Sequence, residues 1–248
     1  MPAARALVVT LVSLALLRAA HAQDAAPRGP RVVHVPTAWV LGRDTAWGRA
    51  GVDHRGTAMV DLTVALGGLA ELDAGLDDTI ATCACRDGRA LSPASLAMAG
   101  FKLGIARGRR GRALGGALGF RRSFAAPTAV AALYAAASAE LRGLRVHAGV
   151  MAWDAREAEV TRATAPHLRP FAALEWTPAP YPRTTLVGDL SWLPELDGNR
   201  VTLRWIAGWG VRYQALAWGS IELAVRHRGG DDLGGSTVLV RVNGRLGR

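Results

Sequence analysis

Residues 201–228 read VTLRWIAGWGVRYQALAWGSIELAVRHR, two alternating runs joined by a short turn at Gln214-Ala215. In the first run Val201, Leu203, Trp205, Ala207, Trp209, Val211 and Tyr213 fall on one side, with Thr202, Arg204, Gly208, Gly210 and Arg212 on the other. In the second, Gly219, Ile221, Leu223 and Val225 alternate with Ser220, Glu222, Ala224 and Arg226. A two-residue period means β-strand, because successive side chains leave opposite faces of the pleat. One face is greasy and the other charged, and each run is about as long as a tilted strand that crosses a bilayer. This pattern predicts a transmembrane β-barrel.

Composition agrees with an ordered chain of one sizeable domain: of 248 residues, 50% are hydrophobic and 20% charged. Met1 to Ala22 has the form of a secretory signal peptide, with Arg5 before an apolar stretch, Ala6 to Leu17, and a small-residue site at Ala20-His21-Ala22. That stretch is too short for a spanning helix, and no later segment offers 18 uninterrupted apolar residues. The expected organisation is signal peptide 1–22, a periplasmic lead-in 23–44, and a barrel from 45 to 248. The lead-in turns apolar at Val32, Val33, Val35, Trp39 and Leu41. An extra strand and a segment folded into the barrel mouth are the other readings of it. A mean hydropathy of +0.15, with charges scattered through the apolar runs, suits a barrel that is greasy outside and polar inside.

The net charge of +10 comes almost wholly from arginine, since Lys102 is the only lysine. The arginines are spread along strands and turns without a basic stripe interleaved with aromatics. No nucleic-acid partner is expected.

Twelve strands can be drawn, with ten as the alternative. They run at about 45–54, 58–66, 69–76, 95–106, 113–124, 128–141, 144–153, 167–176, 183–193, 201–213, 219–228 and 236–246. The sixth contains VAALYAAASAEL, whose alanines have good helix propensity, so a helix is its rival reading. The connections alternate in length. Gly67-Gly68, Gly108 to Arg112, Arg142-Gly143, Pro178 to Pro182 and Gln214-Ala215 are short, whereas Asp77–Ala94, Asp154–Pro166, PELDGNR and RGGDDLGGS are long. Short turns on one side and long loops on the other, with an even strand count, would return both termini to the periplasm. On that frame Trp176 and Tyr213 reach the periplasmic interface and Trp192 the outer one, where amphipathic rings belong.

In these features the chain resembles outer-membrane β-barrel proteins of Gram-negative bacteria, porin-like ones among them. The resemblance is architectural, spans about Thr45 to Leu246 and matches no subfamily motif. It implies an outer-membrane location, contact with outer-membrane lipid, and insertion by the barrel-assembly machinery. Such proteins usually end in an aromatic, whereas this chain ends Gly247-Arg248.

Lys102, Arg122, Arg145, Arg169, Glu175, Asp189, Arg204, Arg212, Glu222, Arg226 and Arg241 are expected to line the lumen. Asp61, Glu71, Asp73 and Arg245 belong to the same set. Basic residues outnumber acids in it, which suggests a small passive channel that favours anions and admits small solutes. The competing reading is a salt-bridged interior that fills itself, giving a plugged structural or surface-display barrel. A lipid-modifying enzyme is the third reading. Ser191, Ser220 and Ser236 have no histidine obviously placed beside them and no nucleophile motif around them, so no enzyme is expected. No cofactor is expected either: Gly115, Gly116 and Gly119 are not followed by the Lys-Ser/Thr of a phosphate loop. Cys83 and Cys85 are too few for a structural zinc site, so no metal is expected. They read as an incidental pair or a local disulfide in the longest loop.

Overall fold

The computed structural model describes residues 28–77, 81–83, 96–109, 112–124, 128–157, 167–197 and 200–247. Thirteen strands form in chain order: β1 (Thr45–Asp53), β2 (Ala58–Leu66), β3 (Ala70–Asp77), β4 (Ala81–Cys83), β5 (Leu96–Arg109), β6 (Arg112–Ser123), β7 (Thr128–Leu141), β8 (Leu144–Glu157), β9 (His167–Trp176), β10 (Thr184–Asp197), β11 (Arg200–Leu216), β12 (Gly219–Arg228) and β13 (Thr237–Gly247). All but β4 pair antiparallel with their neighbours in sequence order, and β13 pairs with β1, so a twelve-stranded up-and-down barrel closes. Closure leaves no barrel edge with unpaired backbone groups, the condition for a sheet to cross lipid. The short β4 adds in parallel to β10 at one rim. It lies within the stretch read from sequence as an irregular loop, and Cys85 falls outside the described residues.

Alternation sorts the side chains by chemistry. Val60, Leu62, Val64, Leu72, Leu103, Leu118, Leu133, Leu174, Leu190, Leu223 and Val240 all point outward and are exposed. Their strand neighbours, such as Asp61, Thr63, Glu71, Lys102, Asp189, Glu222 and Arg241, are buried inside. This inverts a soluble protein and matches a barrel whose solvent is lipid.

The twelve barrel strands fall close to the sequence-derived boundaries. The alanine-rich segment is β7, paired over its length with β8 and through most of it with β6. Two ladders override its local helix propensity. Its inward Ala132 and Ala136 are small and leave space at the barrel centre. The turns at Gly67-Gly68 and Arg142-Gly143 both place two consecutive residues at positive φ, as a primed hairpin turn requires. Three connections differ from expectation. PELDGNR is not a long connection, because β10 and β11 stay paired out to Asp197 and Arg200. β8 runs on through Asp154 to Glu157. Gln214-Ala215 lies within β11, the turn falling at Ala217-Trp218 between the paired Leu216 and Gly219.

Candidate functional site: the filled lumen

Ahead of β1, the segment Arg28–Leu41 lies inside the barrel, where Val32, Val33, Val35, Thr37, Ala38, Trp39 and Leu41 are all buried. It is a hairpin. The Val32 N–H donates to the Val35 carbonyl at 3.1 Å, Thr37 N–H to Pro30 O at 2.9 Å, and Arg31 bridges to Pro36. Across its legs the Arg28 guanidinium stacks 4.5 Å from the Trp39 ring centre. Arg28 bonds Glu140 and Leu41 bonds Glu71, each within three residues of a short turn. Both legs therefore enter from the short-turn end, with the Val32–Val35 tip at mid-lumen.

Backbone polarity explains how an irregular segment survives there, since each buried amide and carbonyl needs a partner. Asp189 of β10 accepts from the backbone N–H of His34, from Val35 N–H at 3.1 Å and from His34 Nδ1 at 3.0 Å. Ser138 Oγ accepts from Ala38 N–H at 2.8 Å, and Glu71 from Leu41 N–H at 2.5 Å. Lys102 Nζ donates to Trp39 O at 2.6 Å. The Val33 carbonyl at the tip accepts from both Arg49 (3.0 Å) and Arg241 (2.8 Å). Glycines on the wall make room for its side chains. A Cβ on Gly208 would lie 2.7 Å from the His34 ring, one on Gly104 2.7 Å from Val40, and one on Gly115 3.2 Å from the Trp39 ring.

The wall itself is an ion-pair lattice in two parts. One chain of alternating charge runs Glu140–Arg145–Glu175–Arg212–Glu222–Arg241, with spacings of 3.4, 3.0, 2.9, 2.8 and 2.6 Å. The other centres on Arg121, which pairs with Asp61 (3.3 Å), Asp73 (2.6 Å) and Asp77 (2.9 Å); Asp61 also holds Arg49 at 2.5 Å. Lys102 pairs with Glu71 at 2.6 Å. Arg31 of the hairpin reaches Asp73 and Asp77 at 3.6 and 3.8 Å. Because the charges of this lattice meet their opposites in a buried interior, removing one partner strands the other. Above the hairpin tip, toward the long loops, lies a cavity of about 30 Å³ lined by Arg31, His34, Tyr134, Trp153 and Ser191. It has room for about two water molecules.

Of the residues expected to line the lumen, Lys102, Arg145, Glu175, Asp189, Arg212, Glu222, Arg226 and Arg241 are buried within it. Arg122 is not: it points outward in the phase of Leu114 and Leu118, and Arg121 takes the inner position. Glycine-rich β6 hides that phase from inspection, although its leucines carry it. Arg169 and Arg204 have the inner phase but sit exposed at the long-loop end. Arg169 stacks over Trp192 at 5.2 Å and Arg204 pairs with Glu195. Arg245 is exposed near the short-turn end. Trp176 and Tyr213 point outward at the short-turn end, and Trp192 is half-buried toward the other end.

The expected excess of base is reversed in the buried band of the wall. Counting buried and half-buried inner-phase groups among the described residues, ten carboxylates (Asp53, Asp61, Glu71, Asp73, Asp77, Glu140, Glu175, Asp189, Glu195, Glu222) face eight cations (Arg49, Lys102, Arg121, Arg145, Arg212, Arg226, Arg228, Arg241). Arg28 and Arg31 of the hairpin supply the missing two charges. Arg49, Arg121, Arg228, Asp53, Asp77, Glu140 and Glu195 were not among the residues expected there. The phase of Leu133 and Leu141 marks Glu140 as inward.

Two serine–histidine pairs are present that the sequence did not reveal. Ser138 Oγ lies 2.7 Å from His147 Nδ1, and Ser236 Oγ 3.0 Å from His227 Nδ1. The first is buried beneath the hairpin, where Ser138 already accepts from Ala38. Among the described residues neither imidazole is hydrogen-bonded to a carboxylate, so neither pair has the third group that orients a general base. No cluster of three metal-ligating side chains occurs among the described residues.

No family model matches the sequence, and no curated protein does. The fold does have solved likenesses. A chain described under "Unveiling the Mechanism Behind the in-meso Crystallization of Membrane Proteins" aligns with TM-score 0.53 and 11% identity, covering 82% of this chain and 83% of that one. A KdgM porin in complex with disordered oligogalacturonate aligns with TM-score 0.52 and 8% identity, over 81% of this chain and 98% of the porin. The outer membrane phospholipase A of Escherichia coli aligns with TM-score 0.42 and 12% identity, over 90% and 99%. At such identities the likeness is one of fold.

Proposed function

We propose that the protein resides in the outer membrane as a plugged barrel, closed by its own N-terminal hairpin and serving a structural or surface-display role through its long-loop end. The observation that carries this reading is the hairpin Arg28–Leu41, buried at mid-lumen with its amides bonded to the wall. The greasy outer face supports a lipid environment, and outer-membrane lipid and the barrel-assembly machinery are the partners this requires. Both hairpin legs share an end with the short turns, which suits a periplasmic short-turn side and long loops outside. A freely open anion channel fits less well, because the buried band of wall carries more acid than base and the hairpin occupies it. Planar-bilayer recording of refolded protein tests the reading: the intact chain is expected to hold no steady conductance. Stable open channels from the unaltered chain would contradict it.

A further inference from the structure

Two features of the lumen show how the hairpin is attached. Among the described residues it joins no ladder of the barrel; its one bridge, Arg31 to Pro36, is internal. The wall groups that hold it mostly hold each other as well: Glu71 has Lys102, Glu140 has Arg145, and Arg241 has Glu222. Asp189 differs. All three of its hydrogen bonds come from His34 and Val35 of the hairpin.

We propose that the hairpin is a withdrawable gate, and that the barrel it vacates is a pore preferring small hydrated cations. This rests on the reading that the hairpin closes the lumen. The wall keeps its paired lattice when the hairpin leaves, so the barrel has no need to collapse. It then loses the two positive charges of Arg28 and Arg31, and the buried band is left with an excess of two carboxylates. Asp189 becomes the bare carboxylate at mid-lumen, where a charged side chain facing the path sets ion preference. The inner-phase arginines 169, 204 and 245 lie at the mouths in contact with water, where their field is screened.

The test uses the full chain in planar bilayers under a potassium chloride gradient, with heat-modifiable gel migration to confirm a folded barrel. The double variant R28E/R31E leaves the wall untouched but sets like charges against Glu140, Asp73 and Asp77. It is expected to conduct steadily, with a reversal potential severalfold in favour of potassium over chloride; adding D189N is expected to diminish that preference. G115L, whose added side chain meets Trp39 and Ala38 of the hairpin and leaves Asp189 and the wall charges unchanged, is expected to give the same selectivity and serves if the double variant does not fold. Folded variants that stay silent, or that prefer chloride, overturn the proposal. If the unaltered chain conducts as steadily as the variants, closure by the hairpin fails while cation preference is still read from the same traces.

Discussion

Replacing Asp189 with alanine should loosen the hairpin far more than it weakens the barrel. The carboxylate is buried and accepts three hydrogen bonds, all from residues 34 and 35. In the withdrawn state those donors are satisfied by water, so the substitution acts almost wholly on the inserted state. A hydrogen bond to a charged group contributes about 1.5–3 kcal/mol, and three at one carboxylate fall short of additive, so about 4 kcal/mol is expected. At 1.4 kcal/mol per tenfold, the ratio of inserted to withdrawn hairpin should drop by roughly a thousandfold. Amide hydrogen exchange reads this directly, because Val35 and Leu41 are protected only through wall carboxylates. D189A should accelerate exchange at both by that order while the barrel-strand amides hold. D189N, which keeps an acceptor but not the charge, should fall between. A change below about tenfold at Val35 in a folded D189A barrel would refute the reasoning.

Three further outcomes follow. Leu223 points into the lipid face, and L223R should lower barrel stability by about 2–4 kcal/mol, seen as an earlier loss of the compact gel band on heating. Tyr134 lies across Gly119, where an added Cβ would come within 2.2 Å of the ring; G119V should cost about 1–3 kcal/mol by the same gel assay, and G119V/Y134A should recover part of it. Burial pushes the His34 imidazole below its ordinary 6.5, against the opposing pull of Asp189 and aided by Arg226 and Arg241. Withdrawn His34 therefore binds a proton more readily than inserted His34, so insertion is at full strength above that value and weakens as pH falls through it. Hairpin exchange at Val35 should quicken, relative to intrinsic rates, between about pH 7.5 and about pH 5.5, and H34Q should flatten that dependence.

Strand positions were legible because a period of two with bilayer length leaves little choice of fold, as 201–228 illustrates. Even β7, helical by local propensity, is held in register by neighbours that alternate cleanly. The lumen was legible only where apolar neighbours set the phase. Arg212 and Glu222 sit directly between large apolar neighbours; Arg121 and Arg122 follow a glycine-rich run whose phase is carried only by the more distant Leu114 and Leu118. The hairpin could not be placed from sequence, since a short apolar segment looks the same in a mouth, a strand or a leader. Its seat depends on Asp189, Ser138 and Glu71, which come from strands distant in the chain. The charge balance failed for a related reason, as counting inner-phase arginines without their height assigned mouth residues to the buried band.

The central claim is that alternate residues face lipid while their neighbours face a lumen packed by the chain's own hairpin. Nitroxide labels at Ser220, Ile221, Leu223 and Ala224, placed one at a time after Cys83 and Cys85 are replaced, test both halves in reconstituted vesicles. Labels at 221 and 223 should be relaxed by oxygen and not by a water-soluble nickel complex, and those at 220 and 224 by neither. Nickel access at 220 and 224 in the unaltered background would mean an open lumen, and nickel access at 221 and 223 would mean that the greasy face is not in lipid.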